Sequence, residues 1–230
     1  DTVGQRVTGL VNAVGRRIAA HDLQEWVELL SEGLDETDRL AIRTHHPRWI
    51  VAAYEKVLQE NEVAQALEAN NLAPRPTLVM RPGLAEVEEL APAIPTVYSP
   101  FGAVLDGAPG DLAAVKEGRA GVQDEGSQLV CLALTRVEAP SGPWLDLCAG
   151  PGGKSALLAG LARQRGEHLV ANEVAAHRAK LVEQALAVYP PGTASVICSD
   201  GCDPEPVRRH APFARIMVDA PCSGLGALRR

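Results

Sequence analysis

The 230-residue sequence lacks the features that mark membrane, secreted and zinc-binding proteins. No apolar run approaches the roughly 18 residues that a membrane-spanning helix needs, and no basic-then-apolar leader opens the chain. The five cysteines form no Cys-x-x-Cys pair, so the usual spacing of a structural zinc site is absent. We therefore expect a cytoplasmic protein with reduced thiols and no resident metal.

The sequence also lacks the overall basic charge that is typical of nucleic-acid-binding proteins. It has 29 acidic and 22 basic residues, a net charge of −7. The excess lies within residues 1–110, and residues 111–230 are neutral overall. An acidic run between Asp22 and Asp38 is most simply a solvated face. The charge argues mildly against a nucleic-acid partner and leaves room for a local basic patch.

The first third of the chain has the apolar spacing of α-helices. Apolar residues recur at helical intervals over residues 7–18, and Asp22 has the form of an N-cap for a second helix. Pro47 suits the first turn of a further helix. The residues of this helix predicted to point inward are Trp49, Ile50, Ala53, Tyr54 and Val57. This part is therefore predicted to be helical throughout.

Composition changes at Pro74, where the prolines of the first half begin to concentrate. Short strand-like runs at residues 77–80 and 96–98 lie among predicted loops. We interpret the segment up to Gly121 as a small α+β module.

From Trp144 onward, apolar strand-like segments alternate with helical segments. The four predicted strands end at Cys148, Glu173, Asp200 and Asp219. Such alternation predicts a parallel, doubly wound α/β sheet of the Rossmann-like class. Because ligands bind outside the carboxyl ends of strands in these sheets, the four strand ends are the predicted site.

The first of these strands runs into a glycine-rich turn, Cys-Ala-Gly-Pro-Gly-Gly-Lys, at residues 148–154. Glycines let a backbone approach a ligand closely, and the helix that follows offers N–H groups to an anion. Glu173 lies 20 residues after Gly153, where an acidic residue often holds the ribose of a nucleotide. The turn has neither the Gly-x-Gly-x-x-Gly pattern of dinucleotide-binding proteins nor the Walker pattern.

One glycine-rich turn, or one strand-end aspartate, is often only a turn or a helix cap. Repetition of acidic residues at successive strand ends favours a site over these simpler interpretations. The pattern predicts a nucleoside-containing cofactor with an anionic or zwitterionic tail.

Two long motifs resemble those of S-adenosylmethionine-dependent RNA cytosine-5 methyltransferases. They are Leu-Asp-Leu-Cys-Ala-Gly-Pro-Gly-Gly-Lys at residues 145–154 and Asp-Ala-Pro-Cys-Ser-Gly-Leu-Gly at residues 219–226. The likeness is greatest to the bacterial ribosomal-RNA branch called Sun or Fmu, in which a NusB-like domain comes first. It implies four parts: the end of a NusB-like domain (1–20), a helical linker (21–72), a small α+β RNA-binding module (73–121) and the N-terminal part of a methyltransferase domain (122–230).

The resemblance also implies a role for each matching residue. The turn would hold the methionine end of S-adenosylmethionine, Glu173 the ribose and Asp200 the adenine. Asp219 would face both the cofactor and the target base, and Cys222 would be a catalytic thiol. The predicted catalytic residues are therefore Cys222 and Asp219, and the predicted cofactor-binding residues are Cys148, Ala149, Gly150, Pro151, Gly152, Gly153, Lys154, Glu173, Arg178, Asp200 and Asp219.

The sequence departs from the family pattern in three places. The family usually has Ala where Gly150 stands, a change expected to be tolerated, and Asp where Glu173 stands. Its nucleophilic cysteine, in a Thr-Cys-Ser type segment further on, has no match before Arg230. We therefore expect a partial chain. In an alternative interpretation Cys222 itself attacks the base, as the Pro-Cys thiol does in DNA cytosine methyltransferases.

The predicted function is methylation of cytosine C5 in ribosomal RNA, with 16S RNA as the favoured substrate, through a covalent cysteine adduct. The target base must leave its stack, so single-stranded or loop RNA is the expected partner. Two alternatives are a catalytically incomplete RNA-binding or ribosome-assembly protein that keeps the cofactor fold, and a transfer-RNA cytosine-5 methyltransferase.

Overall fold

The computed structural model describes residues 7–72 and 75–221. They fall into two compact units that divide between Ala73 and Pro74. Within these residues, no helix has the length and apolar character needed to cross a membrane. The NusB-like assignment of residues 1–20 and the RNA-binding assignment of residues 73–121 stay predictions.

The first unit is helical in its described part. Asp22 caps the second helix as predicted: its carboxylate accepts the Glu25 N–H at 2.8 Å, and the Glu25 carboxylate accepts the Asp22 N–H at 3.0 Å. This reciprocal pair satisfies two backbone donors that the first turn leaves open. The helices are α1 (Thr8–Ile18), α2 (Leu23–Ser31), α3 (Glu36–Thr44), α4 (Arg48–Glu55) and α5 (Glu60–Asn70).

Three of the five inward residues predicted for α4 are wrong, because Trp49, Ala53 and Val57 are exposed. Ile50 is buried as predicted, and Tyr54 is half-buried. Trp49 is 62% exposed and Val57 is 78% exposed, whereas Ile50 and Val51 are buried. Val57 lies beyond the end of the helix at Glu55, so it cannot share the helical face. The face that packs against α3 and α5 carries Ile50, as predicted, together with Val51.

The second unit begins with a small antiparallel sheet whose strand order is β2-β3-β1-β4. The strand predicted at residues 96–98 is wrong, because the chain there turns: the Thr96 hydroxyl donates to the Ser99 carbonyl at 2.9 Å. The structure instead has a two-residue strand immediately before this turn, at Ile94–Pro95. The elements are β1 (Thr77–Met80), β2 (Ile94–Pro95), β3 (Gly102–Val104), β4 (Ala120–Val122) and the short helix α6 (Ala113–Lys116).

The second sheet is parallel throughout, with the order β7-β6-β5-β8. This confirms the predicted Rossmann-like α/β class. Its strands are β5 (Trp144–Asp146), β6 (Leu169–Asn172), β7 (Ala194–Ile197) and β8 (Arg215–Met217). The helices of this part are α7 (Glu125–Arg136), α8 (Gly153–Gln164), α9 (Ala176–Leu186) and α10 (Pro204–Arg208).

The strand order places a switch point at β5. The chain proceeds from β5 to β6 and β7 on one side, and β8 then pairs with β5 on the other side. Loops leaving β5 and β8 therefore diverge at the carboxyl edge and open a crevice there. Helix α8 supports this edge, since all of its residues from Ser155 to Ala162 are buried among β6, α7 and α9.

Candidate cofactor-binding site

A cavity of about 500 Å³ opens at the carboxyl edge of the parallel sheet. Its volume lies in the range of small-molecule sites, and the ends of all four strands contribute to its wall. Six of the predicted residues line it: Cys148, Gly150, Glu173, Arg178, Asp200 and Asp219. The fold thus brings the three predicted carboxylates, Glu173, Asp200 and Asp219, to one cavity.

A smaller cavity of about 190 Å³ adjoins the first. It shares Cys148, Gly150 and Asp219 with the larger cavity, and its wall also includes Gln123, which directly follows β4. The remaining turn residues Ala149, Pro151, Gly153 and Lys154 line it, together with Asp146. The glycine-rich turn therefore lies between two cavities that share part of their lining.

Gly152 lines neither cavity and instead shapes the turn. Its φ of 109° lies in the left-handed region, and its N–H donates to the Ala149 carbonyl at 2.8 Å. A Cβ at this position would lie 2.8 Å from the Ala185 Cβ in α9. Glycine is therefore required here both by the backbone and by the close approach of α9.

Glu173 is 3% exposed, and backbone donors hold both of its carboxylate oxygens. Oε2 accepts the Gly150 N–H at 2.9 Å, and Oε1 accepts the Ala175 N–H at 3.0 Å. Arg178 balances the charge, with Nη1 at 3.7 Å from Oε2. Because an ionised carboxylate has about four acceptor directions, each oxygen can accept one more hydrogen bond. That capacity fits the two hydroxyls of a ribose.

Asp200 lies in the exposed loop after β7. Its Oδ1 accepts the Cys202 N–H at 2.9 Å, which orients the carboxylate at the rim of the larger cavity. The position is compatible with an adenine amino group, and contact with the adenine stays a prediction.

Asp219 and Lys154 form an ion pair of 2.7 Å between Oδ2 and Nζ. Asp219 lines both cavities, so the pair stands where they meet. The sequence assigned Lys154 to the turn through its backbone, and its side-chain role was missed. The fold brings Lys154 and Asp219 together, and no feature of the sequence pairs them.

Asp146 is a second residue that the sequence reasoning missed. It is 1% exposed, and its Oδ2 accepts the Ser155 hydroxyl at 2.7 Å. Its Oδ1 is buried with no hydrogen-bond partner of normal geometry among the described residues. Burial raises the pKa of this carboxyl, and the Ser155 hydroxyl and the nearby Cys148 amide offset part of the rise. A buried oxygen in this state can accept a further hydrogen bond, from an ordered water or from a ligand group.

The predicted site includes two cysteines, Cys148 and Cys222, of which the structure describes Cys148. Cys148 is half-buried, and its thiol pKa is raised by burial and by the Asp146 and Glu173 carboxylates. A thiol with a raised pKa stays protonated, so Cys148 is a poor nucleophile. Cys222, the predicted catalytic thiol, lies outside the described residues. Among residues 7–72 and 75–221, no cluster of His, Cys, Asp and Glu could hold a metal ion.

Residues 131–230 match the family model described as 16S rRNA methyltransferase RsmB/F. Over these residues the chain is similar to RsmB/F methyltransferase domains. The predicted resemblance to the Sun or Fmu branch is thereby confirmed, and S-adenosylmethionine is the cofactor of such domains. The glycine-rich turn, Glu173 and Asp146 offer acceptors and backbone donors that fit its nucleoside and amino-acid ends.

Two curated relatives extend the comparison beyond the RsmB/F domain. The chain is 45% identical to a methyltransferase of Mycobacterium tuberculosis (strain ATCC 25618 / H37Rv), over 96% of this chain and 50% of that protein. It is 35% identical to ribosomal RNA small subunit methyltransferase B of Vibrio cholerae serotype O1, over 100% of this chain and 52% of that protein. The chain spans about half the length of the curated relatives it matches.

A solved structure agrees with the fold. The crystal structure of a methyltransferase homologue from Pyrococcus horikoshii covers 86% of this chain and 67% of its own, with a TM-score of 0.69 and 20% identity. At this identity the likeness concerns the architecture alone.

Proposed function

We propose that the protein transfers a methyl group from S-adenosylmethionine to C5 of a cytosine in 16S ribosomal RNA. The observation that carries the proposal is the meeting of two cavities at Asp219, inside a domain of the RsmB/F family. One cavity suits a nucleoside, and the other lies beside the turn and the Lys154–Asp219 pair. A methyl donor and its acceptor must come together at such a junction.

The residues of the larger cavity would hold the nucleoside of the cofactor. Glu173 would accept hydrogen bonds from the ribose hydroxyls, and Asp200 would accept one from the adenine. At the other end, the buried Oδ1 of Asp146 would accept a hydrogen bond from the ammonium group of the methionine moiety. When bound, S-adenosylmethionine supplies a methyl group on a positively charged sulfur.

The chemistry explains why a thiol and a carboxylate are needed. Cytosine C5 is a weak nucleophile, and addition of a thiolate to C6 makes it enamine-like. C5 then forms a bond to the methyl carbon as the bond from that carbon to sulfur breaks. A base removes the C5 proton, and the electron pair of that bond expels the thiolate from C6. Asp219 would accept a hydrogen bond from the cytosine amino group, and Lys154 would hold Asp219 in place.

In this mechanism Cys222 assists release of the thiol adduct, and a second cysteine further along the chain attacks C6. The assignment comes from the Pro-Cys-Ser-Gly pattern at residues 221–224. If Cys222 attacked C6 itself, no second thiol would be needed, and the two schemes make opposite predictions for a variant that lacks Cys222.

A direct test uses the full-length gene product with unmodified 16S ribosomal RNA and with transfer RNA. The expected result is 5-methylcytidine in the ribosomal RNA alone, measured by mass spectrometry of nucleosides. Methylation of transfer RNA alone would overturn the substrate class. Cofactor binding with no methyl transfer to either RNA would favour the alternative of an RNA-binding protein that keeps the cofactor fold.

A further inference from the structure

The Gly150 peptide is held at both of its polar atoms by one charged pair. Its N–H donates to Glu173 Oε2 at 2.9 Å, and its carbonyl oxygen accepts a hydrogen bond from Arg178 Nη2. Glu173 follows β6 and Arg178 lies in α9, so the pair ties the glycine-rich turn to two other elements. The turn is therefore fixed from outside as well as by its own hydrogen bonds.

The absence of a side chain at position 150 makes this arrangement possible. A Cβ there would lie 2.2 Å from Glu173 Oε2 and 2.8 Å from Arg178 Nε, and both distances are too short for real contacts. Gly150 is not among the glycines with positive φ, unlike Gly152 at 109°. Its φ is therefore compatible with alanine, and the atoms nearest to a Cβ belong to the two charged side chains.

We infer that Gly150, Glu173 and Arg178 form one positioning unit for the cofactor, in which glycine at 150 is the counterpart of glutamate at 173. The inference rests on the proposed cofactor site. Glu173 would act twice, because its backbone contacts hold the turn while its remaining acceptor directions meet the ribose. Neither role survives if a methyl group at position 150 displaces the carboxylate.

The unit predicts that positions 150 and 173 are coupled. Aspartate at 173 would draw the carboxylate back by about one carbon–carbon bond, roughly 1.5 Å. The Gly150 N–H would then lose its partner, but a Cβ at 150 would find room. Each single change should therefore weaken the cofactor site, and the two together should repair part of the damage.

The test is a double-mutant cycle on the full-length protein, with the Kd for S-adenosylmethionine measured by titration calorimetry. We expect Gly150→Ala to weaken binding about tenfold or more and Glu173→Asp by about fivefold, with the double variant within about threefold of the parent. Arg178→Ala should also weaken binding, since it frees the Gly150 carbonyl and leaves Glu173 without its cation.

Gly121→Ala is the matched control, because a Cβ there meets nothing within 4 Å and the position lies in β4. It should leave the Kd unchanged. Circular dichroism and the midpoint of thermal unfolding show whether each variant is folded. If the double variant binds as weakly as the product of the two single effects, the positions act independently and the inference is wrong. A parent protein that binds no S-adenosylmethionine would instead overturn the proposed function.

Discussion

At the scale of a single residue, the buried carboxyl of Asp146 makes the stability of the folded state depend on pH. Its pKa is raised because burial disfavours the charged form, so the folded state holds its proton more tightly than the unfolded state does. Stability falls as pH rises from the ordinary carboxyl range through the raised pKa, because the folded protein must then give up that proton. A bound ammonium group would offset this loss.

Asp146→Asn keeps an acceptor for the Ser155 hydroxyl and removes the charge. We expect S-adenosylmethionine to bind about tenfold more weakly, which corresponds to about 1.4 kcal/mol. Without ligand, the midpoint of thermal unfolding at neutral pH should stay the same or rise. Calorimetric titration and thermal unfolding measure the two effects, and an unchanged Kd would show that Asp146 receives no group of the cofactor.

Lys154 illustrates a residue whose backbone and side chain have separate roles. Lys154→Met leaves the turn intact and removes the 2.7 Å contact with Asp219. We expect methyl transfer to slow by about 10²-fold with little change in the Kd for S-adenosylmethionine. The reason is that Lys154 holds Asp219, which would contact the target cytosine. The exposed Lys180 offers a matched control as Lys180→Met. A loss of cofactor affinity equal to the loss in rate would place the Lys154 ammonium on the cofactor instead.

At the scale of the elements, the glycine-rich turn joins β5 to α8 only through a left-handed residue. Gly152→Ala combines a φ of 109° with a Cβ 2.8 Å from the Ala185 Cβ. We expect it to lower the free energy of unfolding by about 2 kcal/mol or more, measured by urea denaturation. Gly126→Ala in α7 meets nothing within 4 Å and should be neutral or stabilising by up to about 1 kcal/mol. Equal effects of the two changes would contradict the steric argument.

Elements with a strong local signal could be predicted from the sequence, and elements defined by their neighbours could not. The Asp22 cap and the parallel strands β5 to β8 follow from residue type and periodicity. The burial of Val51 in place of Trp49 depends on which face α3 and α5 cover.

The candidate site divides in the same way. Strand ends predicted the convergence of Glu173, Asp200 and Asp219 on one cavity. Two contacts of the turn could not be predicted, the Lys154–Asp219 ion pair and the Gly150–Glu173 hydrogen bond. Each joins residues from different elements, so each forms only in the folded protein. The two departures from the family pattern, Gly150 and Glu173, are in direct contact in the structure.

At the scale of the whole molecule, the fate of the covalent RNA adduct separates the two roles of Cys222. We expect Cys222→Ala in the full-length protein to accumulate an adduct with ribosomal RNA, because the attacking thiol would be intact and its release blocked. Denaturing gel electrophoresis with labelled RNA shows such a species as a band of retarded mobility. If no adduct forms and methylation stops, Cys222 is the nucleophile itself.

The strand order β7-β6-β5-β8 also bears on how the protein acquires its ligand during synthesis. The two cavities are lined by residues 148–154, which follow β5, and by Asp219, which follows β8. A nascent chain therefore completes the wall of this cavity only when β8 has left the ribosome and paired with β5. From that moment cofactor at 100 times its Kd would add about 2.7 kcal/mol to the stability of the sheet. The cellular supply of S-adenosylmethionine would thus protect the newly made domain against proteolysis, in addition to providing the methyl group.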